Sequence, residues 1–264
     1  MLCYFQGYHD IVQVLLLVLD DEEKASSAMV QISLFRIRDY MLPSLTPAMK
    51  HLRLIPEIIK RKDEGGKLGI RLSTIQPFFA LASTLTLYAH DVEEYSDIAR
   101  LFDFLLAHEP IVSIYLFAAI ILSRKKELLD IDDPDILHVT LAKLPRPFDL
   151  EALIASSLDL YREYPPESVW NIISANSVLK TSSDIFAEHS VQDALDLFAR
   201  QTRQLRREEM RTRLVSLAWR HRGAVGSVGL ALLVAAVSFW VRRRPGLGEV
   251  IWAYVAQIRG VIFG

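Results

Sequence analysis

A glutamine followed by a glycine stands near the start of the sequence, within residues 4–10, which read Tyr-Phe-Gln-Gly-Tyr-His-Asp. This polar stretch runs directly into an apolar segment, Ile11–Leu19. A small turn that leads into a buried helix holds the side chain on the turn in one place at a surface. An assisting group in phosphoryl transfer has to be held in this way, because such catalysis is mostly positioning and electrostatics. Gln6 is therefore the first candidate for a functional side chain.

An isolated Gln-Gly pair has a simpler interpretation, in which the glutamine is a polar residue that caps the entrance of a helix. The longer match favours a functional interpretation. Residues 4–11, Tyr-Phe-Gln-Gly-Tyr-His-Asp-Ile, resemble the Tyr-x-Gln-Gly motif of TBC domains, the catalytic domains of Rab GTPase-activating proteins. In this extended form the stretch looks most like the endoplasmic-reticulum-anchored subgroup of the family. Residues 38–43, Arg-Asp-Tyr-Met-Leu-Pro, are again similar to that subgroup.

The resemblance implies a role for Gln6. In TBC domains the glutamine of this motif enters the site of the partner GTPase, replaces the GTPase's own glutamine and orients the attacking water. The neighbouring residues of the motif that would support it are Tyr4, Gly7, Tyr8, His9 and Asp10. The resemblance also implies a Rab-family small GTPase as partner and no cofactor in this chain, because the partner holds GTP and magnesium. The protein would then be a GTPase activator without a substrate site of its own.

A second motif of TBC domains, Ile-x-x-Asp-x-x-Arg, supplies an arginine finger a few dozen residues before the glutamine. Only Met1, Leu2 and Cys3 precede the glutamine motif here, so the arginine motif is absent from this sequence. An arginine finger is worth about 10³–10⁵ in rate. We therefore expect residues 1–220 by themselves to activate a Rab poorly. The alternative function is a Rab-binding or scaffolding membrane protein without activity. Because the arginine motif is absent, we expect residues 1–170 to form a TBC domain that is incomplete at its N-terminus.

Composition limits the class of protein. The chain has 264 residues, of which 51% are hydrophobic and 23% charged, so it can bury a sizeable core. A formal net charge of −2 argues against a dedicated nucleic-acid binder. The single cysteine, Cys3, excludes an internal disulfide framework and fits a reducing compartment. The scattered histidines predict no metal site, and the N-terminal residues show no signal peptide.

Hydrophobic periodicity and Pro, Gly and Asp punctuation predict an all-α fold, in which a TBC-type helical domain precedes a C-terminal transmembrane helix. Ile11–Leu19 is apolar nearly all round, which predicts a helix buried on most sides, with Leu16 in the core. A second helix is predicted over Ala25–Met41. A third begins at Thr46 and Pro47, with the threonine as N-cap. Asp133 and Asp149 are the predicted N-caps of two later helices.

Residues 98–106 look like the TBC helix that carries Arg-Leu-Trp-Asp-x-Leu-Leu, with Phe102 where tryptophan is usual. Arg100 and Asp103 stand three residues apart, so a local structural ion pair is geometrically available on one helical face. We prefer this structural role of Arg100 to a contact with the GTPase.

The C-terminal third differs in composition. Residues 171–222 read as a polar connector followed by a basic juxtamembrane helix from Val191, which is either a solvated face or a membrane-surface segment. Residues 223–241 are a run of 19 residues without a charge. As a helix this run would be about 28 Å long, close to the thickness of a bilayer core. Trp219 and Trp240 bracket this run, which favours a transmembrane helix over a buried soluble one.

The distribution of arginines predicts the orientation of that helix. Within about 20 residues of this run, seven arginines lie on its N-terminal side and four beyond it, a modest asymmetry that leaves the main domain in the cytosol. Residues 247–264 keep helical spacing of apolar residues and read as an amphipathic tail, with a second membrane segment as the alternative. With the family resemblance, these features imply a protein of the endoplasmic reticulum or early Golgi membrane.

Overall fold

Every regular element is a helix in the residues that the computed structural model describes, which are 2–63, 66–168, 170–184, 190–220, 232–240 and 243. This confirms the predicted all-α class. The α-helices are α1 Tyr8–Leu19, α2 Glu22–Phe35, α3 Thr46–Leu52, α4 Leu54–Lys62, α5 Lys67–Ser73, α6 Leu81–Leu85, α7 Tyr95–Ala107, α8 Val112–Ser123, α9 Lys125–Leu129, α10 Pro134–Leu141, α11 Leu150–Glu163, α12 Val178–Thr181 and α13 Val191–Arg220. The chain divides into two compact units, Met1–Leu205 and Arg206–Gly264.

Helix α8 forms the centre of the first unit. Each residue from Val112 to Ile121 is buried, as expected for a helix that is apolar all round. Helices α4 and α11 pack against it. Burial of each large aliphatic or aromatic side chain contributes about 1.5–3 kcal/mol, so this helix supplies a large part of the stability of the unit.

Helix α1 is buried on one side only, which corrects the prediction that Leu16 lies in the core. Ile11, Val14 and Leu15 are buried where α1 packs on α2 and α7. Leu16 is exposed, together with Leu17 and Val18. An apolar sequence allows every side of a helix to be buried, but it does not show on how many sides other helices will pack.

The second predicted helix, Ala25–Met41, is shorter than expected. Helix α2 ends at Phe35, and a separate 3₁₀ helix covers Arg38–Met41. The backbone N–H of Ile37 donates to Ile32 O, five residues back, so the α-helical ladder is broken there. The break turns two consecutive polar side chains, Arg38 and Asp39, into the interior.

The predicted cap of the third helix is also corrected. Ser44 Oγ accepts from the backbone N–H of Thr46 at 3.3 Å, and Leu45 is the N-cap residue. Helix α3 ends at Leu52, and α4 begins at Leu54. Pro56 explains this break, since it lacks the N–H that would bond to the carbonyl of Leu52 and its ring clashes there.

The two predicted aspartate caps are confirmed. Asp133 accepts from the backbone N–H groups of Asp135 and Ile136 at 2.8 and 3.0 Å. Asp149 accepts from the N–H of Ala152 at 3.1 Å. Both satisfy donors in the first turn that have no intrahelical partner.

The segment that reads as a polar connector contributes to the core. Ile173, Val178 and Leu179 are buried, and Ser177 caps the short helix α12 by accepting from the N–H of Leu179. The first part of α13 also belongs to this unit, where Phe198 packs near Leu42. Serine and asparagine in this segment are therefore partners of buried groups as well as solvated residues.

The predicted transmembrane helix falls largely outside the described residues. Of residues 223–241, only 232–240 are described, and these are helical. Across the described ranges, no helix combines the length and the apolar character needed to cross a bilayer. The predicted amphipathic tail, 247–264, lies outside the described residues.

Candidate functional site

Gln6 lies on an exposed turn at the entrance of α1. The chain before the turn is held by the backbone N–H of Cys3, which donates to Met41 O at 2.8 Å, and by Phe5, which packs on the core. Gly7 is the N-cap residue of α1, and the helix start has no side-chain cap. The carboxamide of Gln6 is exposed and makes no hydrogen bond within the described part of the chain. The helix-capping interpretation of this glutamine is therefore not the one that the structure adopts.

Gly7 fixes the shape of the turn. Its φ of +97° lies in the left-handed region, which costs a residue with a side chain about 1–2 kcal/mol. Gly7 is also buried, and a Cβ at this position would lie 2.7 Å from Thr86 Cγ2. At residue 7 the backbone thus lies closer to Thr86 than it could if that residue carried a side chain.

The segment that carries Thr86 is itself held firmly. The next two residues, Leu87 and Tyr88, have φ values of +52° and +66°, unusual for residues with side chains. Tyr88 is fully buried, and its hydroxyl donates to Ser113 O on α8 at 2.6 Å. Residues 86–88 therefore connect the glutamine turn to the central helix.

A polar chain on the surface joins three residues of the motif to His90. Asp10 Oδ2 lies 3.0 Å from His90 Nδ1, and Asp10 Oδ1 lies 3.1 Å from His9 Nε2. The hydroxyl of Tyr4 lies 3.3 Å from His9 Nδ1. The histidines are exposed, whereas the Asp10 carboxylate is largely covered. Asp10 thus connects the start of α1 to the segment that carries Thr86.

Tyr8 anchors the turn on the opposite side. Its hydroxyl lies 3.0 Å from Ser33 Oγ on α2, and its ring meets Phe5 edge-on at 5.7 Å between centroids. The contacts of Tyr4, Gly7, Tyr8, His9 and Asp10 thus hold the turn in place, and their support of a catalytic role of Gln6 stays a prediction. Sequence reasoning missed Thr86 and His90, and no local signal marks them, because their partners lie about 80 residues away in the chain.

The predicted ion pair on α7 is corrected. Arg100 contacts Glu151 on α11, with Nε 2.7 Å from Oε1 and a second hydrogen bond of 3.1 Å to Oε2. Asp103 is not its partner. Within a helix, a pair in which the arginine precedes the acidic residue is weaker than a pair in the reverse order. Glu151 on the neighbouring helix instead offers both carboxylate oxygens to the guanidinium of Arg100.

A second group of chemically interesting residues is fully buried and lies within the first unit. We call it the Asp39 cluster, and its members are Arg38, Asp39, His51, Ser177 and Gln201. Asp39 Oδ2 accepts from Ser177 Oγ at 2.6 Å and lies 2.8 Å from His51 Nε2. Asp39 Oδ1 accepts from Gln201 Nε2 at 2.8 Å and from the N–H of Val178 at 3.1 Å.

These residue types also occur in hydrolytic triads, but their arrangement is different. In a triad, the aspartate and the serine bind opposite nitrogens of the histidine ring. Here Asp39 and Ser177 both approach His51 Nε2, and Nδ1 has no hydrogen-bond partner among the described residues. Serine therefore has no free base to activate it, and the cluster is a structural anchor.

The electrostatics of Asp39 support this structural role. Burial by itself raises the pKa of the carboxyl, but the hydrogen bond and charge of His51, with the donors Ser177 and Gln201, outweigh it and lower the pKa to about 2. Arg38 lies beside the carboxylate and donates to Leu34 O, Asn176 O and Thr181 Oγ1. The folded protein thus supplies hydrogen-bond donors to the charged form of Asp39.

Within the described ranges, no group of three or more His, Cys, Asp or Glu residues is placed to hold a metal ion. The side chain exposed at the glutamine turn is a neutral carboxamide, which can both donate and accept hydrogen bonds.

Comparison with known proteins identifies the domain that carries this turn. Residues 1–129 match the Rab-GTPase-TBC domain. The GTPase-activating protein gyp10 of Schizosaccharomyces pombe is 34% identical over 215 residues, 79% of this chain and 57% of that protein. TBC1 domain family member 20 of Homo sapiens is 32% identical over 216 residues, 80% of this chain and 53% of that protein. The chain spans about half the length of the curated relatives it matches.

The chain therefore contains a TBC domain over residues 1–129 and is homologous to gyp10 and to TBC1 domain family member 20. The sequence-based identification of a TBC domain is confirmed.

Proposed function

We propose that the protein accelerates GTP hydrolysis by a Rab-family GTPase and that Gln6 orients the attacking water in the partner's site. The observation that carries the proposal is the exposed carboxamide of Gln6 on a turn with a left-handed glycine, closed against Thr86. Its C=O is available to accept a hydrogen bond from the water, and its NH₂ to donate one to an oxygen near the phosphate.

The proposed contribution of this chain is positioning. In phosphoryl transfer the protein has little covalent chemistry to perform, so a group that holds the water in line with the phosphorus raises the rate. Gln6 is neutral and adds no charge to the transition state. Nucleotide and magnesium belong to the partner GTPase, and this chain supplies the side chain and the surface that holds it.

We further propose that the protein works on the early secretory pathway, anchored in the endoplasmic reticulum membrane with its main domain in the cytosol. The support is the sequence of residues 223–241, which is uncharged and followed by Arg242, Arg243 and Arg244. Alkaline carbonate extraction of the full chain from cells tests the anchor. The protein is expected in the membrane pellet, and full release into the supernatant would refute it.

A panel of early secretory Rabs tests the proposed activity. The variant Gln6→Ala is compared with Gln31→Ala, which removes an exposed glutamine from α2. The first readout is affinity for Rab bound to GDP and aluminium fluoride, which mimics the transferring phosphoryl group. Gln6→Ala is expected to lower this affinity by on the order of 10²-fold, the scale on which mispositioning of a reacting group acts. In a version extended upstream to include an Ile-x-x-Asp-x-x-Arg motif, Gln6→Ala is expected to abolish most of the stimulated hydrolysis. Gln31→Ala is expected to leave both unchanged.

The same experiment distinguishes a GTPase activator from a protein that only binds or scaffolds a Rab. A protein that only recruits or scaffolds a Rab would bind GTP-loaded and aluminium-fluoride-loaded forms equally, and Gln6→Ala would change neither affinity. That result would refute the catalytic role of Gln6 while leaving the Rab partner in place.

A further inference from the structure

The part of α13 in the second unit, residues 206–220, carries an apolar stripe, with Val215 and Trp219 as further exposed apolar residues outside it. At about 100° per residue, Met210, Leu214 and Leu217 fall on one face of the helix. All three are more than half exposed. Within the described residues of this unit, nothing covers this face.

Rows of arginines lie on both sides of the stripe. Arg206, Arg213 and Arg220 recur every seven residues along one side, while Arg207 and Arg211 lie along the other. All five side chains are exposed, and none of them forms an ion pair within the described part of the chain. The opposite face carries Thr212, Ser216 and Trp219, and Trp219 is 70% exposed. An apolar stripe between two cationic rows is the pattern of a helix that lies in a membrane interface, and tryptophan is enriched at such interfaces.

Three occupants of this face can be compared by charge. A second copy of the helix would bring Arg206 of one copy next to Arg211 of the other, and like charges oppose such pairing. Nucleic acid would satisfy the arginines but would leave three large apolar side chains in water. An anionic lipid surface satisfies both, because phosphate groups pair with the guanidinium rows and acyl chains receive the stripe.

We propose that residues 206–220 form an interfacial helix that binds an anionic lipid surface. Met210, Leu214 and Leu217 enter the boundary between headgroups and acyl chains, and the two arginine rows contact lipid phosphates. This inference rests on residues other than Gln6 and does not need the Rab activity. It also does not need residues 223–241 to span the membrane.

Site-directed spin labelling of the full chain tests the orientation of this helix. Cys3 is the only cysteine of the sequence, so Cys3→Ser gives a background without native thiols. Nitroxide labels are placed at Leu214→Cys on the apolar stripe and at Thr212→Cys on the opposite face. The protein is reconstituted in lipid nanodiscs of phosphatidylcholine, with or without partial replacement by phosphatidylserine. Collision with oxygen reports lipid exposure, and collision with a water-soluble nickel chelate reports water exposure.

The label at residue 214 is expected to be lipid-exposed in the anionic discs, and the label at residue 212 water-exposed. The triple variant Arg206→Gln, Arg213→Gln, Arg220→Gln is expected to move the label at 214 into water. Lysine at the same three positions keeps the charge and is expected to preserve lipid exposure. A water-exposed label at 214 in anionic discs would overturn the inference. Spin–spin broadening at 214 would overturn it in favour of a second copy.

A third label, at Ala235→Cys, separates this inference from the proposed anchor. A deep label at 235 with a water-exposed label at 214 refutes the interfacial helix and leaves the anchor standing. A water-exposed label at 235 with a lipid-exposed label at 214 refutes the anchor and supports peripheral binding through residues 206–220.

Discussion

The methyl group of Thr86 occupies the space that a side chain at Gly7 would need, since a Cβ there would lie 2.7 Å from Thr86 Cγ2. The two residues lie 79 positions apart in the sequence. Their contact fixes the direction in which the chain enters α1, and with it the place of the preceding Gln6. The glycine of the motif is therefore required twice, once for its φ and once for this approach.

Gly7→Ala is expected to destabilise the protein by about 2–4 kcal/mol, because left-handed backbone strain adds to overpacking against Thr86. Thr86→Ser removes the Cγ2 methyl and keeps the hydroxyl that donates to Ala82 O. The double variant is expected to recover the part due to the clash and to retain the backbone part. Urea unfolding of the four proteins measures this, and equal stability of the double and single variants would contradict the proposed contact.

Two neighbouring leucines on α1 form a matched pair. Leu15 is 6% exposed and Leu17 is 59% exposed. Leu15→Asp buries an unpaired charge and is expected to lower the free energy of unfolding by more than about 3 kcal/mol. Leu17→Asp is expected to change it by less than about 1 kcal/mol. Thermal melting of both variants provides the check, and equal losses would mean that α1 is covered on both sides.

Arg36 closes the end of α7, and lysine is not an adequate substitute. Its guanidinium donates to the carbonyls of Leu105, Leu106 and His108. A single ammonium group does not reach all three, so Arg36→Lys is expected to cost about 2–3 kcal/mol. Arg100→Lys, in the exposed pair with Glu151, is expected to cost no more than about 0.5 kcal/mol. Chemical denaturation that ranks the two in the opposite order would contradict this account of Arg36.

The lowered pKa of Asp39, about 2, makes a specific contribution to acid stability. Its folded pKa lies below the usual unfolded value near 3.9, so its contribution is present above about pH 4 and is lost as the pH falls toward 2. The integrated amount is about 2.5 kcal/mol. Asp39→Asn lowers stability at neutral pH but removes this part of the slope between pH 4 and 2. Exposed Asp132→Asn serves as the control, and an unchanged slope in Asp39→Asn would refute the assignment.

The end of the first unit predicts where the chain can be cut. A fragment of residues 1–170 lacks Ser177, Val178 and Gln201, and thereby loses three donors to the buried carboxylate of Asp39. We expect residues 1–205 to unfold cooperatively and residues 1–170 to bind the dye ANS as a partly folded chain. Cooperative unfolding of the shorter fragment would show that the Asp39 cluster is dispensable.

Local features of this fold can be read from the sequence, whereas distant partners cannot. Asp133 and Asp149 cap helices through donors two or three residues away, so the signal and its partner lie in one short window. The Gln6 turn is also a local feature, because its shape depends on the adjacent Gly7. Thr86 and His90 lie about 80 residues from their partners, and nothing in their own neighbourhood indicates which surface they will meet.

Apolar runs and polar runs fail as predictors for a related reason. The run in α1 gives no sign that Leu16 stays exposed, because burial depends on which helices arrive beside it. The polar run after residue 170 gives no sign that Ser177 enters the core, because its hydroxyl is satisfied there by Asp39. In both cases the outcome depends on tertiary neighbours rather than on hydrophobicity.

The bond between Asp39 and Gln201 joins residues 162 positions apart, and this separation sets the order of events during synthesis. At about 5–20 residues per second, a ribosome needs about 8–32 s to add the residues between them. For that interval the carboxylate of Asp39, which is fully buried in the finished fold, lacks the donor that Gln201 supplies. The Asp39 cluster is therefore completed only near the end of the synthesis of the first unit, after α4, α8 and α11 have all been added.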